Sequence, residues 1–410
     1  MNRWQNVLVV IGVLLASWAS AQSRAPYRRG MKDAQEGRPY NLRLGAAQFD
    51  FATNFSVAYD DNATRGTTEA TEKDAVTGRV GVDTGLYWPM TPDLALDFDI
   101  QAGWLQNLAG DGPQGPSIRA GDRSNFQLDW AVGDTGTLSL LDRVSITTDS
   151  SQVARQAGGN DLRLLNNDAA LQYECEPSPL WRSVLRVGRE DVKSFDDAFK
   201  YLDRESYYGE SKIGWNLNAD MTLSLYGNAA DYTYTAEMKN DATAWEVGIE
   251  HLWYATAVSR VTTSVGYKEI SFDTDNVPTV QEEAAGGTAR LMIDSSLSPT
   301  VQHGLTVSYA PELASPTTVN YSEDTIGAYR ISWQFAPAWV VGYTGTWLHS
   351  REAGDAGETY DLFINGLMIG VQVSRKASLS LQYRRLEKDS DNGDSNYRSN
   401  EFTAGLRYAF

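Results

Sequence analysis

The sequence predicts an all-β fold, a transmembrane up-and-down antiparallel β-barrel of about eighteen strands with short periplasmic turns and long extracellular loops. Three observations predict it. Segment after segment alternates apolar and polar residues with a period of two, the connections between segments are short and long by turns, and the strand tryptophans keep to the apolar phase.

The clearest strand runs from Phe49 to Tyr59. Phe49, Phe51, Thr53, Phe55, Val57 and Tyr59 form one row, and Asp50, Ala52, Asn54, Ser56 and Ala58 the other. Beyond a polar loop, Val76, Val80, Val82, Leu86 and Trp88 alternate with Thr77, Arg79, Gly81 and Asp83; then Leu94, Leu96, Phe98, Ile100, Ala102 and Trp104 alternate with Ala95, Asp97, Asp99, Gln101 and Gly103. The same grammar predicts strands near 124–132, 137–147, 164–174, 180–189, 204–216, 221–231, 243–254, 259–272, 284–295, 301–310, 325–335, 339–349, 360–373, 377–386 and 398–410. Leu140-Leu141-Asp142 and Asn166-Asn167-Asp168 break phase, so sixteen strands is the alternative count. The last strand carries Phe402, Ala404, Leu406, Tyr408 and Phe410 on one face and Thr403, Gly405, Arg407 and Ala409 on the other.

The connections carry more information than any single strand. Tight turns are expected at Pro89–Pro92, Gly133–Gly136, Cys175–Pro179, Leu217–Asp220, Ser296–Thr300, Ala336–Ala338 and Ser374–Ala377. Between them lie polar loops such as Gly110–Asp122, Thr148–Arg163, Ser194–Asp203, Asp273–Glu282, Pro311–Glu323, Arg351–Glu358 and Glu387–Tyr397. A barrel inserted from one side has this alternation, and an even strand count puts both ends of the barrel in the periplasm. Proline sits in the connections, where its missing N–H breaks no ladder.

Setting aside Trp4 and Trp18, the tryptophans are Trp88, Trp104, Trp130, Trp181, Trp215, Trp245, Trp253, Trp333, Trp339 and Trp347, each in a predicted strand or at its end. Amphipathic rings favour the membrane–water boundary, so two aromatic girdles are expected.

Arg3, the apolar run Val7–Ala16 and Ala19-Ser20-Ala21 have the three-part layout of a secretory signal, which gives a leader at 1–21, a periplasmic arm at 22–46 rich in Arg24, Arg28, Arg29, Lys32, Arg38 and Arg43, and a barrel at 47–410. The apolar run is about half the length a transmembrane helix needs. Cys175 is the only cysteine, so no internal disulfide forms. The formal charge is -18, and -19 without residues 1–21, which argues against nucleic acid as a partner. Outer-membrane lipid and lipopolysaccharide are the expected surroundings.

In hydrocarbon an unpaired sheet edge costs several kcal/mol per group, so the strands must close. A barrel of this strand number is too wide for its side chains to fill and encloses water. The polar phase supplies the expected pore lining: Asp50, Asp83, Asp97, Asp99, Asp129, Glu210, Glu246, Glu250 and Asp294 against Arg79, Arg143, Arg182, Arg186, Lys212, Arg290, Arg330, Arg384 and Arg407. This balance predicts cross-strand pairing and weak ion selectivity.

The last strand, with Phe402, Leu406, Tyr408 and the terminal Phe410, resembles the C-terminal signal that the barrel-assembly machinery reads in bacterial outer-membrane barrels. Asn41-Leu-Arg-Leu-Gly45, an aromatic first strand ending in Tyr59-Asp-Asp-Asn62, and Leu86-Tyr-Trp-Pro89 together resemble the β-barrel porin-2 family of Gram-negative bacteria over residues 41–410. The resemblance implies an outer-membrane, porin-like protein, and some such barrels are associated with exopolysaccharide export or surface assembly.

The expected function is therefore passive diffusion of small hydrophilic solutes through an outer-membrane channel, without cofactor or metal; a polysaccharide outlet or scaffold is the alternative. An outer-membrane hydrolase is the rival class. Of the histidines, His251 and His303 fall on the lipid-facing phase, and His349, beside Ser350, Glu352 and Asp355, is the one candidate for the outer rim. Glu387–Asp394 superficially suggests calcium, but the EF-hand register fails, with ligands demanded at Lys388 and Ser390. The short stretch before the first strand does not provide the plug of an energy-coupled receptor. The lipid-facing row is apolar everywhere, so no patch marks a subunit contact.

Overall fold

The computed structural model describes residues 40–68, 71–110, 112–119, 126–147, 163–236, 239–273, 283–314, 319–354 and 357–410. The expected leader at 1–21, the arm up to residue 39, the loop centred on 148–162 and most of the loop at 273–282 lie outside the described residues.

In chain order the strands are β1 (Leu42–Leu44), β2 (Ala47–Asp60), β3 (Ala75–Thr91), β4 (Leu94–Gly110), β5 (Gly115–Arg119), β6 (Phe126–Val132), β7 (Gly136–Thr147), β8 (Leu164–Ser178), β9 (Trp181–Ser194) and β10 (Arg204–Asn216). They continue as β11 (Met221–Tyr234), β12 (Ala242–Thr256), β13 (Ser259–Phe272), β14 (Glu283–Ser298), β15 (Val301–Leu313), β16 (Tyr321–Ala336), β17 (Trp339–Glu352), β18 (Thr359–Gln372), β19 (Ala377–Ser390) and β20 (Tyr397–Ala409). Among the described residues no helix is long and apolar enough to cross a membrane. Every pairing is antiparallel, and all but β4–β6, β5–β7 and the closing pair join sequence neighbours; β20 closes on β2 through Ala52↔Ala409 to Asp60↔Glu401.

The wall has eighteen strand positions, because β5 and β6 share one and β1 lies in line with β20. β4 pairs with β6 at Leu94–Phe98 and with β5 at Gln101–Leu105. The segment 110–122, expected to be loop throughout, therefore contains a strand. The phase breaks in β7 and β8 do not remove these strands, and sixteen is not the count. β19 also runs to Ser390, so Glu387, Lys388 and Asp389 belong to the wall rather than to the expected loop.

β1 is a second departure. Residues 42–44 lack a long alternating pattern, yet they pair with Ala47–Phe49 across a two-residue turn in which Gly45 takes φ +61°, a conformation glycine adopts at little cost. Below Ala52, β1 occupies the edge of β2 that β20 leaves uncovered. The Phe51 carbonyl marks the junction, accepting from the Phe410 backbone N–H at 3.1 Å and from the Asn41 side chain at 2.6 Å.

The register divides every strand into two phases. All ten strand tryptophans fall on one phase and are exposed, from 39% to 55%, the arrangement of a lipid-facing surface. The other phase is concave: there, side chains of strands two positions apart meet, as in Lys212 with Glu250, Lys268 with Glu312 at 2.9 Å and Arg330 with Asp294 at 2.8 Å. Pairs that skip a strand need side chains that converge, so this phase is the inside.

Not all of the inside is polar. Leu348, Leu362 and Leu386 face inward near the extracellular end and pack with Tyr360 and Tyr397, all nearly inaccessible. A second buried cluster joins Ala242, Ala244, Ile270, Phe272 and Ala284. Above it two loops meet: the Lys239 ammonium donates to the Ala314 carbonyl, and Asn240 Nδ2 donates to Asn320 Oδ1 at 3.3 Å.

Candidate functional site: the lumenal wall

The alternation that buries one face in lipid leaves the other for water, so each strand delivers its polar row to the lumen without further specification. The register places all eighteen residues singled out in the sequence on that inner phase: for example Asp50 opposite Gly85, Arg79 opposite Leu105, Asp97 opposite Gln127, Asp129 opposite Ser139 and Arg143 opposite Asp168.

Many of these charges are engaged along the wall. Arg407, from the last strand, donates to Asp83 at 3.0 Å and Asp50 at 3.4 Å, while Asn54 donates to Asp83 at 2.6 Å. Arg182 pairs with Glu174 at 3.1 Å, Arg186 with Asp168 at 2.5 Å, and Arg384 with Glu401 at 2.6 Å. Asp294 accepts from Arg260 at 2.9 Å as well as from Arg330. Asp129 accepts from Ser139 at 2.5 Å and from Gln127. Part-exposed pairs of this kind contribute little to stability individually. Their effect is to hold long side chains flat against the wall.

Two tyrosines reinforce this. The Tyr226 hydroxyl donates to Glu246 at 2.9 Å, and its ring lies over Gly248, where an added Cβ would come within 2.5 Å of the ring. Tyr208 lies in the same way over Gly188, with its hydroxyl donating to Asp168. Glycine on one strand makes a seat for an aromatic ring from a neighbour; in sequence these glycines read only as gaps in the polar row.

A cavity of about 480 Å³ opens on this stretch, lined by Arg143, Asp168, Arg186, Glu190, Glu210, Glu246 and Lys268 among others. Arg143 and Glu210 are exposed in it. A second, of about 660 Å³, includes Arg260, Asp294, Arg330, Thr344 and Gln382. Sequence reasoning missed Asp168, Glu174, Glu190, Arg204, Arg260, Lys268, Glu312 and Glu401, all inward by register. The signal was available: counting phase from the nearest tryptophan of the same strand or its partner would have found them.

The proposed catalytic pair does not form. His349 and Ser350 are consecutive in β17 and point to opposite faces: His349 Nδ1 lies 3.1 Å from Asp361 on the outer face, whereas Ser350 is buried inside and donates to Asp324 at 2.7 Å. A nucleophile and base must share a face to exchange a proton. His251 and His303 lie on the outer phase.

A closed antiparallel barrel with an apolar, tryptophan-rich outside and an ionic inside is the fold of outer-membrane porins. Solved structures agree on the fold. OccAB1 of Acinetobacter baumannii gives a TM-score of 0.51 at 9% identity, covering 90% of this chain and 97% of that one. A BenF-like porin from Pseudomonas fluorescens Pf-5 gives 0.50 at 9% identity, with 90% and 100% covered. OccK2 (OpdF) of Pseudomonas aeruginosa, in complex with glucuronate, also gives 0.50 at 9%, with 90% and 100% covered. No protein-family model and no curated protein matches the sequence.

Proposed function

We propose that the chain is an outer-membrane channel through which small hydrophilic solutes diffuse passively. The observation that carries this reading is the ionic inner wall. Its ion pairs join strands one or two positions apart, as Arg407 does with Asp83 and Lys268 with Glu312, so they follow the wall rather than bridge the lumen. A wide barrel whose polar side chains lie along its surface encloses water. The fold shared with a BenF-like porin supports the same reading. Interlocked loops and inward apolar clusters narrow the extracellular side, which favours small solutes over polymers.

The finer resemblance to the porin-2 family belongs to this proposal. It rests on Asn41–Gly45, the aromatic strand ending in Tyr59–Asn62, Leu86–Pro89 and Phe410, of which Asn41 and Asp60–Asn62 stand at the two ends of the barrel seam. The test is planar-bilayer recording of the refolded chain. Discrete conductance steps with weak cation–anion discrimination are expected; folded protein that inserts and passes no current overturns the reading.

A further inference from the structure

We propose that the outward-facing cluster Arg385, Glu387 and Arg398, on β19 and β20, binds the phosphate of a phosphorylated glycolipid in the outer leaflet. The proposal goes beyond the channel reading and rests on it only for the membrane in which the barrel sits.

The cluster lies on the lipid-facing phase. On β19 the outward row climbs from Leu379 and Leu381 through Tyr383 to Arg385 and Glu387; on β20 it climbs from Leu406 through Phe402 and Asn400 to Arg398. Tyr383 and Phe402 pack ring to ring, 4.9 Å between centroids, and form the last aromatic row of these two strands before the charges begin, while on β18 Phe363 lies opposite Glu387. The cluster thus sits where hydrocarbon gives way to headgroups.

Glu387 receives Arg385 at 2.8 Å and Arg398 at 2.8 Å, while the arginine side chains remain 43% and 71% exposed. One carboxylate shared by two guanidinium groups leaves a net positive charge and holds both forks side by side. Planar, multi-donor guanidinium groups suit phosphate oxygens better than point charges do.

The nearby acids do not cancel this. Asp361 already accepts from the Trp347 indole at 2.8 Å and lies beside His349, Asp61 is taken up by the Asn400 backbone N–H at 2.6 Å and side-chain amide at 2.8 Å on the far side of β20, and Asp389 lies two residues beyond Glu387, about 7 Å further along the strand from the aromatic row.

The rest of the collar shows why this arc is chosen. Among the described residues, the outward positions of β10 to β16 carry Glu205, Asp231, Glu269, Glu283 and Glu323 but no lysine or arginine. That side repels a phosphate. On β9, Arg189 is shared between Asp191 at 2.7 Å and Glu205 at 3.1 Å, and Lys193 follows on the same outward row, so bases and acids balance there at two each. Two bases on one acid occur at β19–β20.

The test uses the full folded chain in phosphatidylcholine vesicles doped with bisphosphorylated lipid A, extracted gently and weighed by native mass spectrometry. Wild type is expected to retain the lipid, R385Q/R398Q to retain it on the order of 10-fold less, and R385K/R398K to fall between the two, since it keeps the charge and loses the fork. Dephosphorylated lipid A is expected to be lost, and inorganic phosphate alone to leave the thermal midpoint unchanged. Retention by R385Q/R398Q equal to wild type, equal retention of dephosphorylated lipid, or stabilisation by inorganic phosphate matching that by the lipid overturns the proposal. Unchanged heat-modifiable migration on gels controls for folding. Conductance recorded on the same variants reads the channel separately, so either reading can fail alone.

Discussion

Asp61 and Asn400, 339 residues apart, are joined by three hydrogen bonds at the extracellular end of the barrel seam. The Asn400 backbone N–H donates to Asp61 Oδ1 at 2.6 Å, its side-chain amide donates to Oδ2 at 2.8 Å, and the Asp61 N–H donates to the Asn400 carbonyl at 3.1 Å. Asp60 accepts from Ser399 at 2.7 Å, and Asn62 donates to the Arg398 carbonyl at 2.7 Å. Tyr59-Asp-Asp-Asn62 is therefore the upper clasp between the first and last strands. Asp61→Ala removes two charge-assisted bonds and is expected to cost about 2 kcal/mol, partly screened by water. The midpoint of heat-modifiable gel migration should fall, with Asp61→Asn in between.

Asn41 is the lower clasp. Its amide group both donates to the Phe51 carbonyl at 2.6 Å and accepts the Phe51 N–H at 3.2 Å, imitating a strand neighbour where β20 has ended. Asn41→Ala should speed urea unfolding while leaving single-channel conductance unchanged, with about 1–2 kcal/mol lost if both bonds go.

The last strand separates assembly from permeation. Tyr408 and Phe410 are exposed on the outer face, 5.7 Å apart edge to face, whereas Arg407 turns inward to Asp83 and Asp50. Deleting Phe410 should reduce the yield of folded, membrane-inserted protein and leave the conductance of inserted copies intact. Arg407→Gln should do the reverse, freeing two carboxylates and shifting the reversal potential in a salt gradient toward cations.

Gly248 seats Tyr226. A Cβ at that position would come within 2.5 Å of both the ring and the Val265 carbonyl, so Gly248→Ala pushes the tyrosine off the wall into the lumen and also strains the β12–β13 ladder. Overpacking of this kind costs about 1–3 kcal/mol. Open-channel conductance should fall, and Gly248→Ala/Tyr226→Ala should recover the conductance but not the stability, because the Val265 carbonyl contact remains.

Lys239, in the loop after β11, is held down to about 7 by burial, with Arg204 acting in the same direction and Glu352 opposing it. Its ammonium also lies 5.2 Å from the centre of the Tyr234 ring. With the folded value below the ordinary lysine value, the unfolded or opened loop binds more protons. The resulting penalty is fully present below about pH 7 and is relieved as pH rises from there toward 10.5. Stability of the loop packing should therefore increase with pH across that window, and Lys239→Met should flatten the dependence measured by thermal melting.

The sequence by itself determined the architecture. A period of two requires strands, an apolar row on strand after strand requires lipid on one side, and hydrocarbon forbids an open edge. The eighteen pore-lining candidates share one face because phase is a local property that any tryptophan of the strand reports. Chain closure, side-chain partners and loop packing depend on residues far apart in sequence, and these only the tertiary structure decided. Leu42–Leu44 pairs because β20 stops at Ala409 and leaves an edge; Gly115–Arg119 pairs because β6 begins too low to cover β4; His349 and Ser350 look like a pair in sequence and are separated by the same alternation that built the barrel. The roles of Asp61 and Asn41 emerged only when the ends of the chain met, since a clasp has no local pattern until its partner is in place.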